Sequence, residues 1–73
     1  MKELYFIKSE TNEFKGEKYD IYTFIDVFNY QILRATNLAN GSKLVKGNKY
    51  VCDIDVKYKQ GQGFVFFVTK VNI

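Results

Sequence analysis

Residues 50–59 read YVCDIDVKYK, and their alternation decides the fold: Tyr50, Cys52, Ile54, Val56 and Tyr58 fall on one side, Val51, Asp53, Asp55, Lys57 and Lys59 on the other. A period of two is that of a β-strand, whose successive side chains point to opposite faces. The first set is the predicted inward face and the second the predicted wet one. Gln60-Gly61-Gln62-Gly63 then predicts a tight reversal, followed by a strand from Phe64 to Asn72. That strand is apolar on both faces, through Phe64, Phe66, Val68 and through Val65, Phe67, Val71, so both sides must be covered or one must serve a function.

Working back toward the start, Asn37 to Lys49 holds two strong turn signals, Asn40-Gly41 and Gly47-Asn48, and is too broken for a good helix. A short strand, Ile32 to Thr36, carries Arg34 on one face and follows a turn at Phe28 to Gln31. The long strand before it, Tyr19 to about Asn29, separates into an aliphatic set (Tyr19, Ile21, Thr23, Ile25, Val27) and a mixed set (Asp20, Tyr22, Phe24, Asp26, Phe28). The aliphatic set is the expected core face and the mixed set the expected wet one. The polar segment Glu10 to Lys18, with Gly16, reads as a hairpin loop, and Lys2 to Ser9 as the first strand, with Leu4 and Phe6 set against Tyr5 and Ile7. Five short strands with a long second one and no helix between them predict an all-β domain, a five-stranded OB-type barrel, because closure removes the edges of so small a sheet. An SH3-like barrel has similar strand statistics and stays open at this stage.

Seventy-three residues make one domain, since a chain this short buries only about 60% of its unfolded surface. Seven Phe and six Tyr exceed what such a core needs. The surplus points to a second surface, either a ligand platform or a subunit interface. Eleven Lys and Arg against eight Asp and Glu give a net charge of +3, which favours a polyanion without demanding one. A single cysteine excludes an internal disulfide and is consistent with a reducing compartment. With no recognisable signal peptide and no long apolar run, the expected location is the cytoplasm, with no membrane partner.

Catalysis is not expected. Histidine, the usual neutral-pH base and the commonest metal ligand, is absent. Asp53 and Asp55 share a strand face, but two ligands are too few for a metal site, and with Lys57 and Lys59 they read as a mixed-charge solvent face. Cys52, among the apolar alternates, reads as a small core residue. No cofactor is implied.

Binding is the better expectation. Sequence-independent recognition of single strands needs rings on which any base stacks and cations that follow the phosphates. Tyr22, Phe24 and Phe28 share one predicted strand face, with Arg34 on the adjacent strand, and Lys15, Lys18, Lys43, Lys46 and Lys49 are grouped in two loops beside it. The same rings also suit the second half of a core or a dimer interface, and the same lysines an ordinary solvated surface.

Three runs carry a family likeness: Lys15-Gly16-Glu17-Lys18-Tyr19 entering a long strand, Gly47-Asn48-Lys49-Tyr50-Val51 entering another, and Gly61-Gln62-Gly63-Phe64 before the last. From about Thr11 to Ile73 the chain resembles the single-stranded DNA-binding proteins of filamentous phages, the gene V type. The resemblance implies an OB-fold homodimer that coats single-stranded DNA and serves DNA replication in a bacterial host cell. It sets Tyr19 as the hairpin aromatic, Lys15 and Lys18 on the basic arms, and Phe64 near the later hairpin tip. The chain departs from that pattern in Phe14 and Glu17, where basic residues are expected, in a shorter central loop, and in one extra Gly at the tip. The competing expectation is a small phage- or plasmid-encoded module that binds a host protein through its aromatic face. Duplex readers are disfavoured, because there is no recognition helix.

Overall fold

The computed structural model describes all 73 residues as five strands and one short 3-10 turn. The strands are β1 (Lys2–Phe14), β2 (Glu17–Asp26), β3 (Ile32–Thr36), β4 (Lys49–Lys59) and β5 (Gly63–Asn72), with the 3-10 turn at Gly41–Lys43 before β4. They form one sheet in the order β1-β2-β3-β5-β4, closed into a ring by pairing of β4 with β1. All neighbours are antiparallel except β3 and β5. A five-stranded ring in which β1 serves both β2 and β4 is the OB arrangement, which settles the choice against an SH3-like barrel. No helix is long and apolar enough to cross a membrane.

β1 pairs with β4 over Lys2–Tyr5 and with β2 from Leu4 onward, and a bulge between Phe6 and Lys8 lets it do both. The extra residue bends the strand and increases its twist, turning it out of the barrel. Beyond the bulge β1 continues to Phe14, paired with β2 through Thr11–Asp20, Asn12–Tyr19 and Glu13–Lys18. The loop expected at Glu10 to Lys18 is therefore a two-stranded ribbon with a two-residue turn, Lys15-Gly16, both at positive φ (53° and 82°). Two positive φ values match the twist of a hairpin. The ribbon escaped the alternation test because Phe14 is its one apolar residue, and a single ring marks no period.

The core gathers Leu4, Phe6, Tyr22, Phe24, Leu33, Ala35, Cys52, Val68 and Val71. Phe6 lies at its centre, with its ring 5.5 Å from that of Phe24 and 6.3 Å from that of Tyr22. The face expected to be wet on β2 is thus the core face, and the aliphatic Ile21 and Ile25 lie half-buried on the outside. Ring volume explains the reversal: three large aromatics fill a small barrel that branched aliphatics would leave underpacked. On β4 the inward expectation holds at Cys52 and fails at Val56 and Tyr58, which are exposed because the β4–β5 hairpin runs past the end of the barrel.

Asp26 is buried at the end of β2, and its carboxylate accepts hydrogen bonds from Lys2 Nζ at 2.9 Å and from the backbone N–H of Phe28 at 2.8 Å and of Asn29 at 3.3 Å. It ties the first strand to the β2–β3 turn. The other end is closed by the β3–β4 connection, where Leu38 and Leu44 pack on the core and Gly47 N–H bonds to Phe6 O at 2.8 Å. Gly41 in this loop is buried against Tyr22, and a Cβ there would clash with the hydroxyl end of the Tyr22 ring.

Two outcomes are expected in thermal unfolding. Gly41→Ala overpacks the loop against Tyr22 and lowers stability by about 1–3 kcal/mol, roughly 4–8 °C per kcal/mol in a domain of this size. An unchanged midpoint would mean that the loop does not seat on Tyr22. The Lys2 hydrogen bond, followed by that from the Phe28 N–H, holds the Asp26 carboxyl below its ordinary value of 3.8. A lowered folded-state pKa stabilises the fold above the unfolded value and is lost as pH falls through the folded one. Asp26→Asn is therefore less stable than the parent near neutral pH, and the gap narrows once pH falls below 3.8.

Candidate nucleic-acid interface

β3 and β5 meet in a single registered pair, Arg34 with Phe67. Above this seam lies an open groove of about 670 Å³. Ile21, Ile32, Val65 and Phe67 supply apolar lining, Arg34 comes from β3, Lys57 and Lys59 from β4, and Gln62 from the β4–β5 turn. No Asp or Glu lines it, and none of its three cations belongs to an ion pair. The groove spans β3 and the loop between β4 and β5, the region with which OB folds hold oligomeric ligands.

Arg34 therefore stands in the groove with no acidic partner. Beside it in the register stands Thr23, paired with Arg34 across β2–β3 and with Lys8 across β1–β2. Its hydroxyl is buried with no hydrogen-bond partner. A buried hydroxyl without a partner is uncommon, and here it lies under the outer face beside the groove.

The other expected site residues are spread around the molecule. Lys15 sits at the tip of the β1–β2 hairpin, its Nζ 5.4 Å from the centre of the Phe14 ring. Lys18 is exposed on β2 opposite Glu13, and Tyr19 is half-buried one alternation from Ile21, on the same outer face. Phe28 is exposed on the β2–β3 turn. Lys43 and Lys46 lie in the β3–β4 connection, which contributes nothing to the groove. Phe64 is 70% exposed and stands edge-to-face with Tyr58 at 5.4 Å, at the far end of the β4–β5 hairpin.

Tyr22 and Phe24 are corrected. They are 7% and 0% exposed, and a ring packed on both faces by the core has none left for a base. Burial, reinforced by the nearby Asp20 charge, also raises the Tyr22 hydroxyl above its ordinary pKa. Cys52 is buried as expected, and burial first, then the charge of Asp53, pushes its thiol up to about 11, so it is not a reactive nucleophile.

Lys57, Lys59, Tyr58 and Phe67 were missed by the residue pattern. Along the strand Lys57 and Lys59 stand near Asp53 and Asp55, and the four read as a mixed-charge solvent face. Across the sheet the partners differ: Asp53 faces Lys70, Asp55 faces Phe67, and the lysines face Val65 and Gly63. Directly opposed residues lie about 4.5–5.5 Å apart, closer than residues i and i+2 along one strand, so these lysines are left without an acid.

The fold and groove together describe a small OB domain with a cationic, apolar-lined channel. No family model, no curated protein and no solved structure matches the chain.

The burial pattern separates two classes of aromatic. Phe24→Ala removes a core ring and lowers stability by about 3–5 kcal/mol, a large part of the total for so small a domain, and Tyr22→Ala acts in the same direction. Phe64→Ala leaves the unfolding midpoint within about 0.5 kcal/mol of the parent. Equal effects at the two kinds of site, by thermal or urea unfolding, would contradict the assigned core.

Proposed function

We propose that this protein binds single-stranded DNA, largely without sequence preference, along the groove over the β3–β5 seam. The observation that carries the reading is the absence of any acid among its lining residues while Arg34, Lys57 and Lys59 all stand free of ion pairs. Three unpaired cations over an apolar floor match the two halves of a nucleotide chain, phosphate and base. In a chain whose net charge is only +3, this local separation of charge matters more than the total. Bases lie on the apolar lining and on the exposed Tyr58–Phe64 pair at the end of the same hairpin; phosphates run past the three cations. A duplex is a poor ligand for this surface, because its bases are already stacked and no helix is offered to a groove. The work of the protein is binding, with no chemical step assigned to any residue.

Fluorescence anisotropy of a labelled oligo-dT, with the matching duplex as competitor, tests this directly. Three neutralised phosphates give a log–log salt slope of about −2, so affinity falls roughly twentyfold between 50 and 200 mM salt. Arg34→Gln and Lys57→Gln each flatten that slope by about 0.7, and Phe64→Ala weakens binding by about 1–3 kcal/mol. Absence of binding at low salt, or a slope that ignores Arg34 and Lys57, would reject the groove and favour a protein partner for the exposed aromatics.

A further inference from the structure

The bulge in β1 leaves Ile7 unpaired and puts Lys8 opposite Thr23 of β2. On the other side Thr23 faces Arg34 of β3. Successive side chains of a strand alternate between faces, and directly opposed residues share one. Tyr22 and Phe24 point into the core, so Thr23 points outward, and Lys8 and Arg34 flank it there.

Thr23 is nevertheless only 7% exposed, and its Oγ1 is the one buried side-chain polar atom of the chain without a hydrogen-bond partner. No neighbour uses the hydroxyl. Valine has the same shape, is as much at home in a strand, and would leave no polar group unpaired. A buried group that weakens the fold in this way marks a position where binding outweighs packing.

We propose that Lys8, Thr23 and Arg34 form a phosphate site, in which the Thr23 hydroxyl donates to a phosphate oxygen held between the two cations. This rests on the proposed function: the phosphate belongs to the strand in the groove that Arg34 lines, and the site extends that strand's path across β2 to β1. Charge and reach select the ligand. The Cα atoms of Lys8 and Arg34 are two strand spacings apart, roughly 9.5 Å, and both side chains are long enough to converge above Thr23. A guanidinium fork, an ammonium and a hydroxyl bring donors to one point, and an oxyanion satisfies them together. Arg34 is in no ion pair, and Lys8 meets only Glu10, at 3.8 Å, in an exposed contact that is easily released. The residues on either side of Thr23 across the sheet are these two flexible cations, so a rotamer change at either uncovers the hydroxyl. Bulges re-aim side chains beside binding sites, and this one brings Lys8 into register with Thr23.

Thr23→Val is the deciding variant, because it removes the hydroxyl without removing charge or volume. It unfolds at a higher temperature than the wild type, since an unpaired buried group is gone. It binds oligo-dT about tenfold more weakly at about 50 mM salt, with the log–log salt slope unchanged. Thr23→Ser keeps the hydroxyl and the affinity. Lys8→Gln also weakens binding, and adding it to Thr23→Val costs less than the product of the two single effects, because both act on one phosphate. Titration with inorganic phosphate, at an ionic strength held constant with chloride, shifts the amide resonances of residues 23 and 34 in the wild type and not in Thr23→Val. A Thr23→Val protein that binds oligo-dT and phosphate as the wild type does overturns the site and leaves the groove reading in place. Phosphate-induced shifts without any binding of oligo-dT support the site as one for a free phosphate and reject the groove reading. A wild type that responds to neither overturns both.

Discussion

The structure depends on one strand doing two jobs. β1 pairs with β4 through its first residues and with β2 through the rest, and the bulge at Ile7 turns it from one neighbour to the other. Without that shared strand the sheet is open and its polar edges face water or another chain. With it, a chain of 73 residues closes around a single cluster of rings. Asp26 reinforces the same point: its buried carboxylate binds Lys2 at the start of β1 and the N–H groups of the β2–β3 turn. One charged group, fully engaged in hydrogen bonds, fixes both where the first strand begins and where the second one ends.

Closure uses less of the chain than the strands contain. β1 and β2 run on past the barrel as a largely polar ribbon, and β4 and β5 run on as a second, amphipathic one. These extensions make the surfaces on which function is proposed. The β4–β5 hairpin has lysines on its outer alternation and aromatics on its inner one, so a single element contributes to the groove on one side and leaves rings uncovered on the other. The barrel holds this hairpin in place, and the rest of it projects beyond the ring. A domain with so small a core leaves its large side chains in two populations, buried ones that hold the ring together and projecting ones that contribute little to stability.

Where the chain alternates apolar with polar, its strands were legible: β3 at Ile32 to Thr36 coincides with its expected bounds, β4 differs by one residue, and the turn before β5 falls at Gln60 to Gln62. Where it does not alternate, they were not. The ribbon from Glu10 to Lys18 is polar apart from Phe14, and its pairing comes from a turn with two positive φ values and from cross-strand contacts such as the 2.9 Å hydrogen bond between Thr11 and Asp20. Of the residues expected at the site, Arg34 lines the groove and Phe64 is exposed, in keeping with an isolated cation on a short strand and a ring after a glycine turn, which have little structural use. Tyr22 and Phe24 misled, since both faces of β2 carry residues fit for a core and only volume chooses between them.

The sequence by itself determined that the chain is all-β, how many strands it has, that Cys52 lies inside, and that rings and cations exceed structural need. These follow from periodicity and composition, which are local properties. Only the tertiary structure decided which face of β2 is inside, that Lys57 and Lys59 lack acids, and that Val56 and Tyr58 are uncovered. Each of these depends on which strand lies opposite and how far it extends. That is a matter of register and ring closure between distant segments, and a residue's own neighbours along the chain do not encode it.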